Sequence, residues 1–155
     1  MNKIAKHTQF INKKFEFFDV TADIGYWAYG KTLEEAYENA ALAMFNVITN
    51  TDKVSQKVSK EIAIESEDLV SLLYDFLEEL LILHELNLMF FSKFEIAIKK
   101  EEINNESKYT LKGIAIGEEI NWKVHEKGSE VKAITFHQME VITNSISKVR
   151  VILDL

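Results

Sequence analysis

The chain has 155 residues, of which 47% are hydrophobic and 28% charged, and its formal net charge is −7. This length suits one domain with a sizeable core, and no apolar run approaches the roughly 18 residues that a membrane span needs. The acidic balance disfavours autonomous binding of RNA or DNA, because Lys and Arg dominate contacts with phosphates. The basic N-terminus lacks the apolar stretch of a secretory signal, and the absence of cysteine is compatible with a cytoplasmic location.

The first part of the chain predicts two strands followed by a helix. Residues 15–19 and 24–30 are rich in aromatic side chains, which favours strands on either side of a short turn. Thr32 is expected to cap the helix, and Glu35, three residues later, completes a capping box. Apolar residues then recur on one face at helical spacing: Leu33, Ala36, Tyr37, Ala40, Met44, Val47 and Ile48.

A further strand and a second helix are predicted next. Residues 53–65 end in an alternating apolar pattern that is typical of a strand. Ser66 is expected to open the second helix, which runs to about Asn87. Its apolar stripe comprises Leu69, Leu72, Leu73, Phe76, Leu77, Leu80 and Leu81.

The remainder of the chain predicts consecutive strands joined by short turns. These strands cover 89–103, 108–120, 131–137, 139–142 and 148–155. Together with the earlier segments they make about eight strands and two amphipathic helices. Short connections favour antiparallel pairing, so we predict a single-domain α+β fold, mostly antiparallel sheet, over residues 15–155. Residues 1–14 are interpreted as an N-terminal extension.

Common catalytic motifs are absent from the sequence. It contains no phosphate-binding glycine loop, no HExxH, no GxSxG and no Cys/His metal spacing. His84 lies near the end of the second predicted helix and is interpreted as structural. His125 lies in a polar stretch and is expected to be exposed. His137 ends a predicted strand and is the best candidate among the histidines for lining a site, although the sequence alone favours a structural role.

Acidic residues offer the main chemical possibility. Asp19 and Asp23 flank a tight segment, and Asp154 precedes Leu155, whose terminal carboxylate is the last group of the sequence. Such oxygen donors suit a hard cation, namely Mg²⁺, Mn²⁺ or Ca²⁺. From the residues alone, however, the favoured interpretation is that Asp19 and Asp23 are turn formers and that Asp154 is a solvated residue at the end of a strand. Lys132 also has two interpretations: its side chain reaches towards solvent from an apolar strand, or it serves a functional site.

Four ordered blocks of the chain resemble the archease family. Residues 21–49, TADIGYWAYGKTLEEAYENAALAMFNVIT, are similar to the family's pattern D-H-T-A-D-I-G followed by G-K-T-L-E-E-A-F-E-N-A-A-x-A-M. Residues 68–81, DLVSLLYDFLEELL, resemble its second helix. Residues 117–141 resemble its G-E-x-I-D…H…V-K-A-x-T-Y-H block, and residues 150–155, RVILDL, resemble its closing segment.

The resemblance implies a function in RNA metabolism through a protein partner. Archeases are acidic, metal-binding activators of the RtcB-type tRNA ligase, which joins RNA ends during tRNA splicing through a covalent histidine–GMP intermediate. They promote guanylylation of that ligase and its multiple turnover, and they are not enzymes themselves. The resemblance also implies an alternative, a chaperone-like modulator of a tRNA cytosine methyltransferase. A metal-dependent phosphoesterase is a third hypothesis, although no residue of the sequence stands out as its general base.

The resemblance implies site residues through their positions in the matching motifs. Asp23 matches the aspartate of T-A-D and Asp154 the aspartate beside the C-terminus, which the resemblance implies are metal ligands together with the carboxylate of Leu155. Asp19 matches the first aspartate of D-H-T-A-D and is a further candidate ligand. The resemblance also assigns functional importance to Lys132, which matches the lysine of V-K-A, and to His137, which matches the histidine after T-Y.

Two positions depart from the family pattern. Val20 stands where the family usually has histidine. This change weakens the predicted metal site if that histidine is a ligand or supports one, and it has no effect if the histidine only shapes the turn. Asn121 replaces the usual aspartate of G-E-x-I-D and removes one negative charge. Neither change alters Asp23 or Asp154.

Overall fold

The computed structural model describes residues 13–155, and all structural statements below concern this part of the chain. It contains seven β-strands and two α-helices in the order β1-β2-α1-β3-α2-β4-β5-β6-β7. The strands are β1 Phe15–Val20, β2 Asp23–Gly30, β3 Val58–Ser66, β4 Met89–Ile103, β5 Glu106–Glu119, β6 Ala133–Thr143 and β7 Ser147–Asp154. The helices are α1 Leu33–Ile48 and α2 Leu69–Asn87. The predicted single-domain α+β class is confirmed, whereas residues 1–12 of the predicted extension lie outside the described residues.

The strands form two antiparallel sheets that enclose the helices. One sheet has the order β1-β2-β7-β6 and the other the order β3-β5-β4. α1 contacts β2 and β7 of the first sheet and β4 of the second, and α2 likewise contacts both sheets. The inward face of the first sheet carries Tyr26, Val149, Val151 and Leu153, all fully buried. The Tyr26 hydroxyl donates to the carbonyl oxygen of Ala40 at 2.9 Å and so ties β2 to α1.

The helix caps are decided by single polar side chains. Thr32 caps α1 and accepts from the N–H of Glu35 at 3.1 Å, and the Glu35 carboxylate accepts from the N–H of Lys31 at 3.2 Å. The predicted Thr32 cap is therefore confirmed, whereas the predicted capping box is only half formed, because Glu35 accepts from the N–H of Lys31 and not from that of Thr32. The predicted cap of α2 was wrong, because Asp68 accepts from the N–H of Ser71 at 2.7 Å while Ser66 donates to a carboxylate oxygen of Asp75.

Two strand predictions need correction. Segments 131–137 and 139–142 belong to one strand, β6, so the described chain has seven strands rather than eight. The register of β6 shifts between Thr135 and Glu140, and Gln138 has a φ of 55°. This bulge interrupts the apolar alternation and makes one strand resemble two. β3 begins at Val58 rather than at residue 53, because Thr51–Lys53 form a 3-10 turn.

Two-residue hairpin turns connect β1 to β2 and β4 to β5. Thr21 and Ala22 alone separate β1 from β2, with Ala22 at a φ of 62°. Asn104 and Asn105 separate β4 from β5 and both have positive φ, as a two-residue hairpin turn of the primed type requires. In residues 13–155, neither helix has the length and apolarity that a membrane crossing would require.

Candidate functional site

Two carboxylates from opposite ends of the chain face each other across neighbouring strands. Asp23 begins β2, Asp154 ends β7, and these two residues are register partners in the antiparallel pair. Directly opposed residues point to the same face of a sheet, with Cβ atoms about 4.5–5.5 Å apart. The Asp23–Asp154 pair is therefore a feature of the fold and does not depend on side-chain flexibility.

The pair lies on the outer face of the four-stranded sheet. The neighbouring register pair, Ile24 and Leu153, points inwards to the core, so strand alternation turns Asp23 and Asp154 away from the helices. Asp23 is half-buried and Asp154 is exposed. Among residues 13–155, neither carboxylate has a hydrogen bond or an ion pair with another side chain. Like charges directly opposed on a sheet are destabilising, and their oxygen donors suit a hard divalent cation. The pair thus supplies two unpartnered carboxylates of the type that the implied metal takes as ligands.

The other proposed ligands are placed differently. Asp19 pairs with Ile24, so alternation directs Asp19 to the face opposite that of Asp23. Leu155 follows Asp154 directly and is half-buried. In the described part of the chain, no group of three or more His, Cys, Asp or Glu side chains is arranged to hold a metal ion. The fold thus brings together Asp23 and Asp154 but not Asp19.

Lys132 and His137 both lie at the β6 edge of the first sheet, but at different distances from Asp154. The N–H of Lys132 donates to the carbonyl oxygen of Asp154 at 2.8 Å, which places this exposed residue beside the pair. His137 is exposed within the irregular part of β6, between the levels of Arg150 and Ile152 on β7. At about 3.3 Å per residue, these levels are roughly 7–13 Å from Asp154. Lys132 therefore adjoins the carboxylates more closely than His137 does.

Val20, at the end of β1, lies beside the Asp23–Asp154 pair. It is the register partner of Asp23 and so shares the outer face with both carboxylates. The histidine that the family usually has at this position would therefore stand beside Asp23. The departure at Val20 is thus located at the candidate metal site, a point that the sequence left open.

An aromatic and cationic cluster lies farther along the same outer face. The Nζ of Lys148 and the Cζ of Arg150 each lie 5.1 Å from the ring centroid of Trp27. Arg150 also pairs with Glu140 at 3.0 Å and donates to the Gln138 carbonyl oxygen at 2.7 Å. Sequence reasoning missed this cluster, because its members come from three strands whose pairing is not encoded locally.

The predicted exposure of His125 was wrong. Its side chain is buried, its Nδ1 accepts from the N–H of Asn121 at 2.9 Å, and its Nε2 lies 2.9 Å from Oε2 of Glu118. Because Nδ1 accepts, Nε2 carries the hydrogen and donates to the carboxylate. His125 therefore connects the turn at 121–125 to the end of β5, and we call its contacts with Asn121 and Glu118 the His125 clip. Asn121, the other departure from the family pattern, serves this turn and not the carboxylate pair.

The carboxyl group of Glu118 is strongly stabilised in its charged form. The N–H of Ser55 donates to Glu118 at 2.6 Å, and with the His125 ring and the Lys57 ammonium it lowers the pKa of Glu118 to about 2. A depressed carboxyl pKa contributes stability above the unfolded pKa of about 4.3, and this contribution is lost as the pH falls towards 2.

We expect Glu118→Gln to lower the free energy of unfolding at pH 7 by about 1 kcal/mol, with allowance for solvent screening. The difference from the wild type should shrink between about pH 4.3 and 2, since protonation removes the same charge from the wild type. Urea unfolding at several pH values measures it, with exposed Glu119→Gln as the matched control. A difference independent of pH, or an equal effect at Glu119, would contradict the prediction.

Comparisons with known proteins agree with the four resembling blocks. The model of the Archease protein family matches residues 15–155. Protein archease of Methanothermobacter thermautotrophicus is 52% identical over 144 residues, covering 92% of this chain and 99% of that protein. Protein archease of Sulfolobus acidocaldarius is 48% identical over 131 residues, covering 84% and 90% respectively.

A solved structure shares the fold. The solution structure of Methanobacterium thermoautotrophicum protein 1598 matches with a TM-score of 0.75 and 50% sequence identity. The match covers 92% of this chain and 99% of that one. Because the family model spans residues 15–155 and the relatives match over nearly their whole length, the chain belongs to the archease family.

Proposed function

We propose that the chain is a cytoplasmic, metal-binding cofactor protein that promotes guanylylation and multiple turnover of an RtcB-type tRNA ligase in tRNA splicing. The observation that carries the proposal is the facing pair Asp23 and Asp154, directed outwards and without a protein partner among the described residues. Membership of the archease family supports it. The net charge of −7 also fits a protein that leaves RNA binding to its partner.

Each residue near the pair has a role in the proposal. Asp23, Asp154 and the carboxyl group of Leu155 hold a divalent ion, which is Mg²⁺, Mn²⁺ or Ca²⁺. When bound, such an ion supplies positive charge that offsets the charge of a nucleotide triphosphate. Lys132, whose backbone is bonded to Asp154, contacts a phosphate or a carboxylate of the ligase. Asp19, the further candidate ligand of the sequence, has no part in this site, because its register places it on the other face.

The second candidate is a chaperone-like modulator of a tRNA cytosine methyltransferase. Exposed apolar side chains at the end of α2, described below, are the feature of this chain that suits such a role. The carboxylate pair has no part in solubilising a client, so this function should survive replacement of Asp23.

RNA ligation with limiting ligase, GTP and divalent metal tests the proposal. The ligase comes from the same source, and the reaction is run with no added protein, with the wild type and with Asp23→Ala. We expect the wild type to convert about one ligation per ligase molecule into many, because guanylylation is renewed after each cycle. Asp23→Ala should return the yield to about one.

The outcomes separate the partner from the site. Equal stimulation by wild type and Asp23→Ala would reject the carboxylate pair as the working site while keeping the ligase as partner. No stimulation of a ligase shown to be competent would reject the proposed function. The methyltransferase would then be assayed for recovery of soluble, active enzyme with both proteins.

A further inference from the structure

Large apolar side chains are exposed together at the C-terminal end of α2. Leu86, Leu88, Trp122 and Val124 are 77%, 66%, 61% and 52% exposed. We call these four residues the α2-end patch. Single exposed apolar residues are common on protein surfaces, but a cluster of large ones marks an interaction site.

Backbone and ring contacts join the two segments of the patch. The N–H of Ile120 donates to the carbonyl oxygen of Leu88 at 2.8 Å. The Trp122 ring meets the Phe90 ring edge-to-face at 5.8 Å, and Phe90 stacks on His84 of α2 at 5.5 Å. The end of α2 and the turn after β5 therefore form one continuous surface.

The patch is held in its exposed form by the surrounding structure. The His125 clip fixes the turn that carries Trp122 and Val124, since Asn121 donates to the buried ring and accepts from the N–H of Val124. Leu88 has a φ of 51° and a ψ of 52°, a left-handed conformation that non-glycine residues rarely adopt and that the surrounding structure must hold in place. A surface held rigid before binding loses less entropy on docking, so the patch is pre-organised.

The patch is linked by chain to the carboxylate pair. Residues 121–132 start at the patch, and the N–H groups of Gly128 and Ser129 donate to the carbonyl oxygens of Ile48 and Val47 at the end of α1. The segment ends at Lys132, which is bonded to Asp154. One segment of chain, anchored on α1, therefore connects the patch to the border of the Asp23–Asp154 pair.

Charge around the patch selects its occupant. Glu78, Glu85 and Glu119 are exposed on its two segments, where Lys123 is an exposed cation and the nearby Lys57 is already paired with Glu118. The C-terminal end of α2 adds a partial negative charge. A second copy of this acidic chain would meet like charge, and nucleic acid is disfavoured for the same reason. Lys and Arg, by contrast, are plentiful on any protein that binds RNA.

We propose that the α2-end patch docks the RNA ligase through apolar side chains flanked by Lys or Arg on the ligase. This inference rests on the proposed function for the identity of the partner. It adds a division of labour: the patch supplies affinity, while Asp23 and Asp154 act on the bound ligase. The two contributions are separable by experiment.

Direct binding and activation are measured on the same full-length proteins. Leu86→Ser/Trp122→Ser should weaken ligase binding at least ~10-fold, because Leu86 is the most exposed side chain of the patch and Trp122 the largest. The concentration for half-maximal activation should rise by the same factor, with the maximum unchanged. Asp23→Ala should show the opposite pattern, with binding kept and the maximum lost.

Two further variants keep the test independent of folding defects. Glu85→Lys/Glu119→Lys leaves the apolar residues intact and should also weaken binding, more so at low salt. Glu102→Lys/Ile103→Ser makes a matched change at the β4–β5 turn, where Ile103 is 55% exposed, and should leave binding unaltered. Circular dichroism and thermal melts confirm that each variant is folded.

Every other result either supports or rejects the proposed docking site. Unchanged affinity in both patch variants would overturn the docking site. Binding without activation by the wild type would reject the proposed function but keep the docking site if the patch variants bind more weakly. No binding of the ligase by the wild type would overturn the inference, as would a wild-type dimer that the Leu86→Ser/Trp122→Ser change dissociates in sedimentation.

Discussion

Asp23→Asn is expected to change the stability of the protein in opposite directions with and without divalent metal. In chelator, the variant should gain about 0.2–1 kcal/mol in free energy of unfolding, because the facing carboxylates of Asp23 and Asp154 no longer repel. With metal at about 100 times the wild-type dissociation constant, the wild type should gain about 2.7 kcal/mol by mass action. The variant should gain almost nothing, since we expect its metal affinity to fall at least ~100-fold.

Thermal melts in chelator, Mg²⁺, Mn²⁺ and Ca²⁺ measure this reversal and identify the preferred ion. Asp154→Asn should behave as Asp23→Asn does, because each removes one member of the same pair. Asp19→Asn is the matched control, since it removes an equal charge from the opposite face and should keep most of the metal response. Loss of that response in Asp19→Asn to the same degree would contradict a site centred on the facing pair.

Gly128→Ala is expected to lower the free energy of unfolding by about 1–3 kcal/mol, the usual range for overpacking at a close contact. A Cβ at Gly128 would lie 2.4 Å from the Val47 carbonyl oxygen and 2.6 Å from that of Ile48. Gly128 does not have positive φ, so the cost is steric and not conformational. Because backbone atoms cannot rotate away, the segment must lift from the end of α1.

Urea unfolding measures the stability, and hydrogen exchange of the Lys132 amide reports whether the segment opens locally. Ser129→Ala serves as the control, since its backbone bond to Val47 is retained and its side chain is exposed. If Gly128→Ala and Ser129→Ala have equal stability and exchange, the close contact does not hold the segment in place.

Local features of the sequence were sufficient for the helices and most strands. The Thr32 cap accepts from the N–H of Glu35, only three positions away, so its chemistry is visible without a fold. The cap of α2 was misassigned because Ser66 and Asp68 are both good caps, and the pairing of Ser66 with Asp75 is not visible in a linear pattern. The bulge in β6 disguised one strand as two for a similar reason.

The candidate site was predictable in its residue types and only partly in its geometry. Asp23 and Asp154 were identified through the family resemblance, and their facing arrangement depends on the pairing of β2 with β7. The position of Asp19 was within reach of the sequence, since a two-residue turn at Thr21 and Ala22 requires Asp23 to face Val20 instead. His125 misled because its polar neighbours in sequence are not its neighbours in space.

The single α+β domain, the two helices and the acidic character could be predicted from sequence patterns, because periodicity, capping and composition act over a few residues. Three other features depend on the folded chain: Asp23 meets Asp154 on the outer face, His125 is buried against Glu118, and the end of α2 adjoins the turn that carries Trp122. These contacts join segments distant in sequence. Their register depends on how both sheets pack around the helices, which no local pattern encodes.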